Sequence, residues 1–309
     1  MSENQKLTST DRAKMIRTFY RFGREYPSIW KYVQTSVSFH NFFESTNIFV
    51  DKLDFSDIDK VIEWVNVAIG DIDAARKLYK SVNRLALYHL QQGVEKLLKA
   101  CLIFTGFKTE SNVISLNHKP QKFAIEMIND SDIQKAVYDY FPFKGVKKLK
   151  KPSADDVREL TELVTTNNKL IALEKGDDIV TGVSLLLGNP NPVTYDPNEI
   201  GKLIKDTLEK IVNPSELKKF KKRCDEESIG YDKMIYNGSN FCYITINMSL
   251  VLLPLAIGLY PFESTTRYPD ELRKLDKRIE EYTAYTAFDT IISQVDKFAE
   301  FFKKFLSEG

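Results

Sequence analysis

The chain has 309 residues, with 44 Lys and Arg against 43 Asp and Glu. Its net charge of +1 excludes a global basic field, so any nucleic-acid binding must rest on local patches. Hydrophobic residues make up 43% of the chain, which excludes disorder as its main state. Only 13 Gly and 11 Pro are present, which argues against a fold of many short strands and favours long helices.

Four helices are predicted in the first 130 residues from apolar residues spaced three and four apart. They cover residues 10–35, 57–80, 82–105 and a segment that begins near His118 and runs to 128. Gly106 is expected to end the third of them. The region from 131 to 235 is more polar, and Asp196–Pro197 and Asn213–Pro214 each place a capping residue before a proline, which is typical of a helix start.

The C-terminal region is predicted to be helical again. One apolar helix covers 241–259, a break follows at Tyr260–Pro261, and a last helix runs from Asp270 to Phe305. Residues 180–187 fit either a short strand or a helix. The fold class is therefore all-α, an antiparallel up-and-down bundle with a long, mostly helical insertion. Its predicted parts are a helical extension (1–55), the first bundle helices (56–130), the insertion (131–238) and the last bundle helices (239–309).

Cysteine usage and hydropathy bear on the compartment. Cys101, Cys224 and Cys242 lack the spacing of a zinc site or a disulfide framework. The sequence also lacks the GxxxxGK(S/T), GxGxxG and HExxH motifs, so neither a metal nor a cofactor is expected. The first residues lack the apolar segment of a secretory signal. The most apolar stretch, 248–262, is short for a membrane span of roughly 20 residues. We expect a buried core helix there, with a membrane-associated segment as the alternative, and a cytoplasmic protein.

Residues 87–100 read L-Y-H-L-Q-Q-G-V-E-K-L-L-K-A, and Gln91, Glu95 and Lys99 share one face of that helix. The string resembles a core-helix pattern of the HEPN family (higher eukaryotes and prokaryotes nucleotide-binding domain), with Gly93 where alanine is usual. Two weaker elements follow in the family's order, a helix start at His118 and the Arg267-Tyr268-Pro sequence. The resemblance covers about residues 58–130 and 240–305.

The resemblance implies a helical bundle that dimerises and binds a nucleotide, RNA or a partner protein. Some family members pair with a separate nucleotidyltransferase in toxin–antitoxin systems, and others are metal-independent ribonucleases used in defence. The candidate ligand-binding residues are then Gln91, Glu95, Lys99, His118, Arg267 and Tyr268. A structural pair of Glu95 with Lys99, a capping role for His118 and an ion pair of Arg267 within the bundle are the alternatives.

The ribonuclease members resemble one another in an Arg-x4–6-His motif, and Arg84 with His89 fits that spacing. Metal-free RNA cleavage needs a histidine as general acid or base and an arginine to hold the phosphate. Five residues of helix place the two side chains about 140° apart, so they converge only across a dimer interface or at a late helix start. The alternative is a surface arginine and a hydrogen-bonded histidine.

Two local basic runs are candidate nucleic-acid patches. One contains Lys147, Lys148, Lys150 and Lys151, and the other contains Lys218, Lys219 and Lys222. Phe220 adds an aromatic face that could stack on a base. The alternative is a solvated helix face and a charged loop.

Three functions are compatible with these features. The first is a HEPN-like module that binds nucleotide or RNA, or a partner protein, without catalysis. The second is a metal-independent endoribonuclease that uses Arg84 and His89. The third is a helical scaffold for protein–protein contacts.

Overall fold

The computed structural model describes residues 9–25, 50, 53, 58–115, 122–123, 155, 158, 169–188, 197–211, 213–267 and 279–307. Nearly all of these residues are helical and none forms a strand, which confirms the all-α class. The helices are α1 (Ser9–Glu25), α2 (Ile58–Leu78), α3 (Asn83–Phe104), α4 (Glu110–Ser115), α5 (Lys169–Gly188), α6 (Pro197–Ile211), α7 (Pro214–Glu226), α8 (Tyr231–Asn247), α9 (Leu253–Arg267), α10 (Thr283–Thr286) and α11 (Phe288–Ser307).

Local sequence signals placed several helix ends correctly. Gly106 follows α3 with a φ of 66°, and its neighbours close the helix end through hydrogen bonds from the N–H groups of residues 107 and 108 to the Leu102 carbonyl. Asn213 caps α7, because its side-chain oxygen accepts a bond of 2.9 Å from the Ser215 N–H. Residues 180–187, ambiguous in the sequence, are part of α5.

The helices α2, α3, α9 and α11 form an antiparallel bundle. A short turn after Leu78 joins α2 to α3, and the two helices pack along their length. Tyr79 stacks on Phe288 at the start of α11, with 4.1 Å between ring centroids. Phe104 meets Phe302 near the other end of α11, so α3 and α11 run in the same direction. Phe104 also meets Phe241 of α8, whereas Phe262 of α9 packs on Tyr282 at the opposite end of the bundle, so α9 runs opposite to α3. The end of α2 lies at the start of α11, so these two helices also run in opposite directions.

One apolar helical stretch passes through the centre of the fold. It comprises α8, a π-helical turn at Met248–Leu252 and α9. The N–H of Leu253 bonds to the carbonyl of Met248, and this wider turn precedes Pro254, which has no N–H to donate. The predicted burial of 248–262 is confirmed. Among the described residues, Tyr231–Phe262 is long and apolar enough to cross a membrane, and 83% of its most apolar window is buried inside the protein.

Two predictions about helix ends were wrong, and packing is the reason in each case. The predicted break at Tyr260–Pro261 is absent, because α9 continues through Pro261 while Phe262 is buried and packs on Tyr282. The predicted single helix from Asp270 is interrupted, since Tyr282 is extended with a ψ of 147°. There Asp177 of α5 accepts a bond of 3.2 Å from the Ala284 N–H and so caps α10 from a neighbouring helix.

Close helix approaches at glycines attach the outer helices to this bundle. On α5, Gly176 lies against the carbonyl of Gly258 on α9, where a Cβ atom would come within 2.5 Å of that oxygen. On α8, Gly238 leaves room for the buried ring of Phe19, which docks α1. Helices α6 and α7 also pack on α8. The region predicted as an insertion therefore contributes helices that pack directly on α8 and α9.

Candidate functional site

The motif that carries the family resemblance forms a buried polar ladder on α3. The Glu95 carboxylate accepts a bond of 2.9 Å from Gln91 Nε2 and an ion pair of 2.6 Å from Lys99 Nζ. Gln92 Nε2 donates to Gln91 Oε1 at 2.6 Å, and the Lys99 ammonium lies 5.5 Å from the centre of the Trp64 ring. All four α3 residues are less than 9% exposed.

This burial bears on the ligand-binding role predicted for Gln91, Glu95 and Lys99. Their polar atoms are bonded to one another, so they satisfy the hydrogen-bonding needs that burial creates. A ligand would reach them only if the helices separated, and a ligand role stays a prediction. Packing explains the glycine at position 93, because a Cβ there would come within 2.9 Å of Ile72 Cγ1 on α2.

His89 has a partner that sequence reasoning missed. Its Nδ1 lies 2.9 Å from the carboxylate of Asp71 on α2, and Lys96 forms an ion pair with the same carboxylate. The three side chains are half-buried in the groove between α2 and α3. A carboxylate at Nδ1 fixes the imidazole and leaves Nε2 available to hold or accept a proton.

The structure does not place Arg84 beside His89 and Asp71. Arg84 is exposed at the second residue of α3, and within the described ranges it makes no hydrogen bond or ion pair. Both Arg84 and His89 are helical, so the angle of about 140° between their side chains remains. Convergence across a dimer stays a prediction.

The structure describes only some of the other candidate residues. His118, Tyr268 and the run Lys147, Lys148, Lys150 and Lys151 lie outside the described residues, as does the side chain of Arg267 at the end of α9. Among the described residues, no group of three or more His, Cys, Asp and Glu side chains could hold a metal ion.

The second basic run forms the outer face of α7. Lys218, Lys219 and Lys222 are exposed, whereas Phe220 is only 5% exposed and packs on Tyr231. The predicted stacking role of Phe220 is therefore wrong, since α7 uses its apolar side to attach to α8. Lys222 has a loose ion pair of 3.5 Å with Glu226, and neither Lys218 nor Lys219 has an acidic partner in the part of the chain that is described.

Helix α1 adds a basic side that sequence reasoning missed. Lys14, Arg17 and Arg21 follow one another at intervals of three and four residues and line a cleft beside Glu227, the residue after α7. Although burial acts in the opposite direction, the hydrogen bonds and charges of Arg21 and Arg223 hold the pKa of Glu227 below its usual value. Glu227 is therefore an anion at neutral pH.

The cysteines do not add a reactive group. All three are free and buried. Burial, with the charges of Glu227 and Asp225, raises the pKa of Cys224 to about 11, so its thiol stays protonated at neutral pH. Burial raises the pKa of Cys101 as well.

Comparisons with known proteins leave the family open. No protein-family model, no curated protein and no solved structure matches this chain.

Proposed function

We propose that this chain is a HEPN-like helical module that binds RNA or nucleotide without intrinsic catalysis. The supporting observation is a pair of basic helix faces, one on α7 and one on α1, that are joined through Glu227. Lys218, Lys219 and Lys222 project from α7 into solvent, and the ion pairs of Glu227 with Arg21 and Arg223 join that face to α1. Cations concentrated on one face provide the local field that a net charge of +1 does not.

The antiparallel bundle of α2, α3, α9 and α11 agrees with the architecture that the family resemblance implies. Further parts of the proposal follow from that resemblance. They are a homodimer, a separate nucleotidyltransferase-type partner and a role in a toxin–antitoxin or defence system. A cytoplasmic setting, which is expected from the sequence independently of the resemblance, is also part of the proposal.

Charge reversal on α7 tests RNA binding directly. We expect Lys218→Glu with Lys219→Glu to lower affinity for a 5′-hydroxyl single-stranded RNA about tenfold at 100 mM salt, because two phosphate contacts become repulsive. Fluorescence anisotropy with a labelled 20-nucleotide RNA measures the affinity.

The matched control is Lys77→Glu with Lys297→Glu, which makes the same change in net charge at exposed positions on α2 and α11. We expect this control to keep wild-type affinity. An equal loss in both double variants would show that RNA responds to overall charge and not to α7. A wild type that binds a protein partner but no RNA or nucleotide would favour the scaffold function.

The hydrogen bond between His89 and Asp71 favours a second candidate function, a metal-independent endoribonuclease. If the chain cleaves RNA in EDTA, we expect His89→Ala to lower the rate by about 10²-fold or more. Asp71→Asn should also lower it, since the imidazole loses the carboxylate that orients it. Gel analysis of RNA cleavage measures both, with Arg84→Ala beside them. Intact RNA after incubation with the wild type would support the binding module.

A further inference from the structure

An open cleft of about 380 Å³ lies between α1 and the end of α7. This volume is within the range of small-molecule sites, which is roughly 300–1,000 Å³. The side chains around it are Thr10, Lys14, Arg17, Thr18, Arg21 and Glu227. Three of the six are cations and one is an anion, so the cleft carries a net positive charge.

Two of these cations donate to uncharged acceptors. Lys14 Nζ donates to the backbone carbonyl of Glu227 at 2.7 Å, and Arg17 Nη2 donates to the carbonyl of Leu53 at 3.0 Å. A carbonyl oxygen accepts a hydrogen bond but carries no formal charge. Within the described ranges, neither Lys14 nor Arg17 has a carboxylate partner. These bonds fix the two side chains in place and leave their charges available to a ligand.

The third cation, Arg21, is occupied by a carboxylate. Its Nη2 donates to both oxygens of Glu227, at 3.1 and 3.2 Å, and Arg223 Nε donates to the same group at 3.3 Å. Two guanidinium groups on one oxyanion are the arrangement by which arginine binds phosphate. Both partners of the Arg21 pair are solvent-accessible, at 44% and 29% side-chain exposure, so the pair can open without disturbing the core.

We propose that this cleft binds a terminal phosphate group, either of a free nucleotide or of an RNA end, and that the phosphate replaces the Glu227 carboxylate on Arg21. A phosphate monoester carries a charge near −2, which complements the positive charges of Lys14 and Arg17, neither of which has a carboxylate partner within the described ranges. None of the six described side chains that line the cleft is aromatic, so the site recognises phosphate and is indifferent to the base. This inference rests on the proposed function and adds the place where the phosphate is held.

Calorimetric titration with six defined probes tests the site. AMP and inorganic pyrophosphate are expected to bind and adenosine is not. GMP should bind as well as AMP. RNA with a 5′-phosphate should bind about tenfold more tightly than the same RNA with a 5′-hydroxyl, because charge-assisted bonds to the terminal group are added. If AMP binds more tightly than adenosine but the two RNAs bind equally, the site is assigned to free nucleotides. If the 5′-phosphate RNA binds more tightly than the 5′-hydroxyl RNA, the site is assigned to RNA ends. Either result supports the site.

Variants of the lining residues give the sharper test. Arg17→Gln and Lys14→Gln should each weaken pyrophosphate binding about tenfold. Glu227→Gln should strengthen it several-fold, because the competing charge is removed while the side chain keeps its shape. Lys60→Gln, an exposed change on α2, is the control and should bind as the wild type does. Circular dichroism and thermal melting establish that each variant folds, and Glu227→Gln decides the question if the cation variants do not fold.

The site is overturned if pyrophosphate and AMP do not bind, or if Glu227→Gln and the cation variants bind as the control does. If 5′-hydroxyl RNA still binds through Lys218 and Lys219 in that case, the proposed function stands without the cleft. If that RNA does not bind the wild type either, the proposed function fails on its own.

Discussion

Replacing Glu95 with alanine is expected to lower the free energy of unfolding by about 3–5 kcal/mol, because it breaks a buried ion pair at one partner. Glu95 is 2% exposed, and its carboxylate is the acceptor for both Lys99 Nζ and Gln91 Nε2. The substitution therefore leaves an ammonium and an amide buried without that acceptor. Urea denaturation followed by circular dichroism measures the change.

The same substitution at Glu226 is the matched control. Glu226 forms an i, i+4 pair with Lys222, but the two side chains are 62% and 77% exposed. An exposed pair of this kind contributes at most about 1 kcal/mol, so Glu226→Ala should change stability little. Glu95→Gln keeps an acceptor oxygen and should be less harmful than Glu95→Ala. Equal, small losses at Glu95 and Glu226 would mean that the ladder is open to solvent, which would favour its role as a ligand site.

Alanine at Gly176 is expected to destabilise the protein by about 1–3 kcal/mol, because the added methyl group overpacks the crossing of α5 and α9. The new Cβ would lie 2.5 Å from the Gly258 carbonyl oxygen and 3.1 Å from Pro261 Cγ. The first of these is a backbone atom, so the two helices must move apart. Replacing glycine with alanine also stabilises a helix by about 1 kcal/mol. The variant is therefore destabilised only if overpacking at the crossing costs more than this gain.

Gly182 provides the comparison within the same helix. It is exposed, and a Cβ there meets no atom within 4 Å. Gly182→Ala should therefore stabilise the protein by up to about 1 kcal/mol through helix propensity alone. Thermal and urea denaturation of the two variants, measured side by side, should move in opposite directions. A stabilising Gly176→Ala would contradict the close approach of α5 and α9.

The sequence predicted those parts of the fold that depend on neighbouring residues. The apolar stripe of α2, the glycine at the end of α3 and the Asn213 cap are local signals, and each was confirmed. The errors came from contacts between distant residues. Asp177 caps α10 across a separation of 107 residues, and no local rule can supply such a partner.

The candidate site shows the same limit. Asp71 is 18 residues before His89, and the two lie symmetrically about Lys80 in the turn between α2 and α3. An antiparallel pairing of two predicted helices would have found that contact. The spacing of Lys14, Arg17 and Arg21 is a local signal that the sequence analysis missed, and Glu227 joins these residues from 206 positions away. The cleft could therefore be identified only from the tertiary structure.

The salt dependence of RNA binding tests the central claim most directly. Single-stranded RNA affinity falls with a slope of about 0.7 in log units for each phosphate contact that is neutralised. We predict a steep slope for the wild type and a slope lower by about 1.4 for Lys218→Gln with Lys219→Gln, which removes two contacts. An affinity that does not change between 50 and 200 mM salt, or a slope that the double variant leaves unaltered, would contradict binding through the basic face of α7.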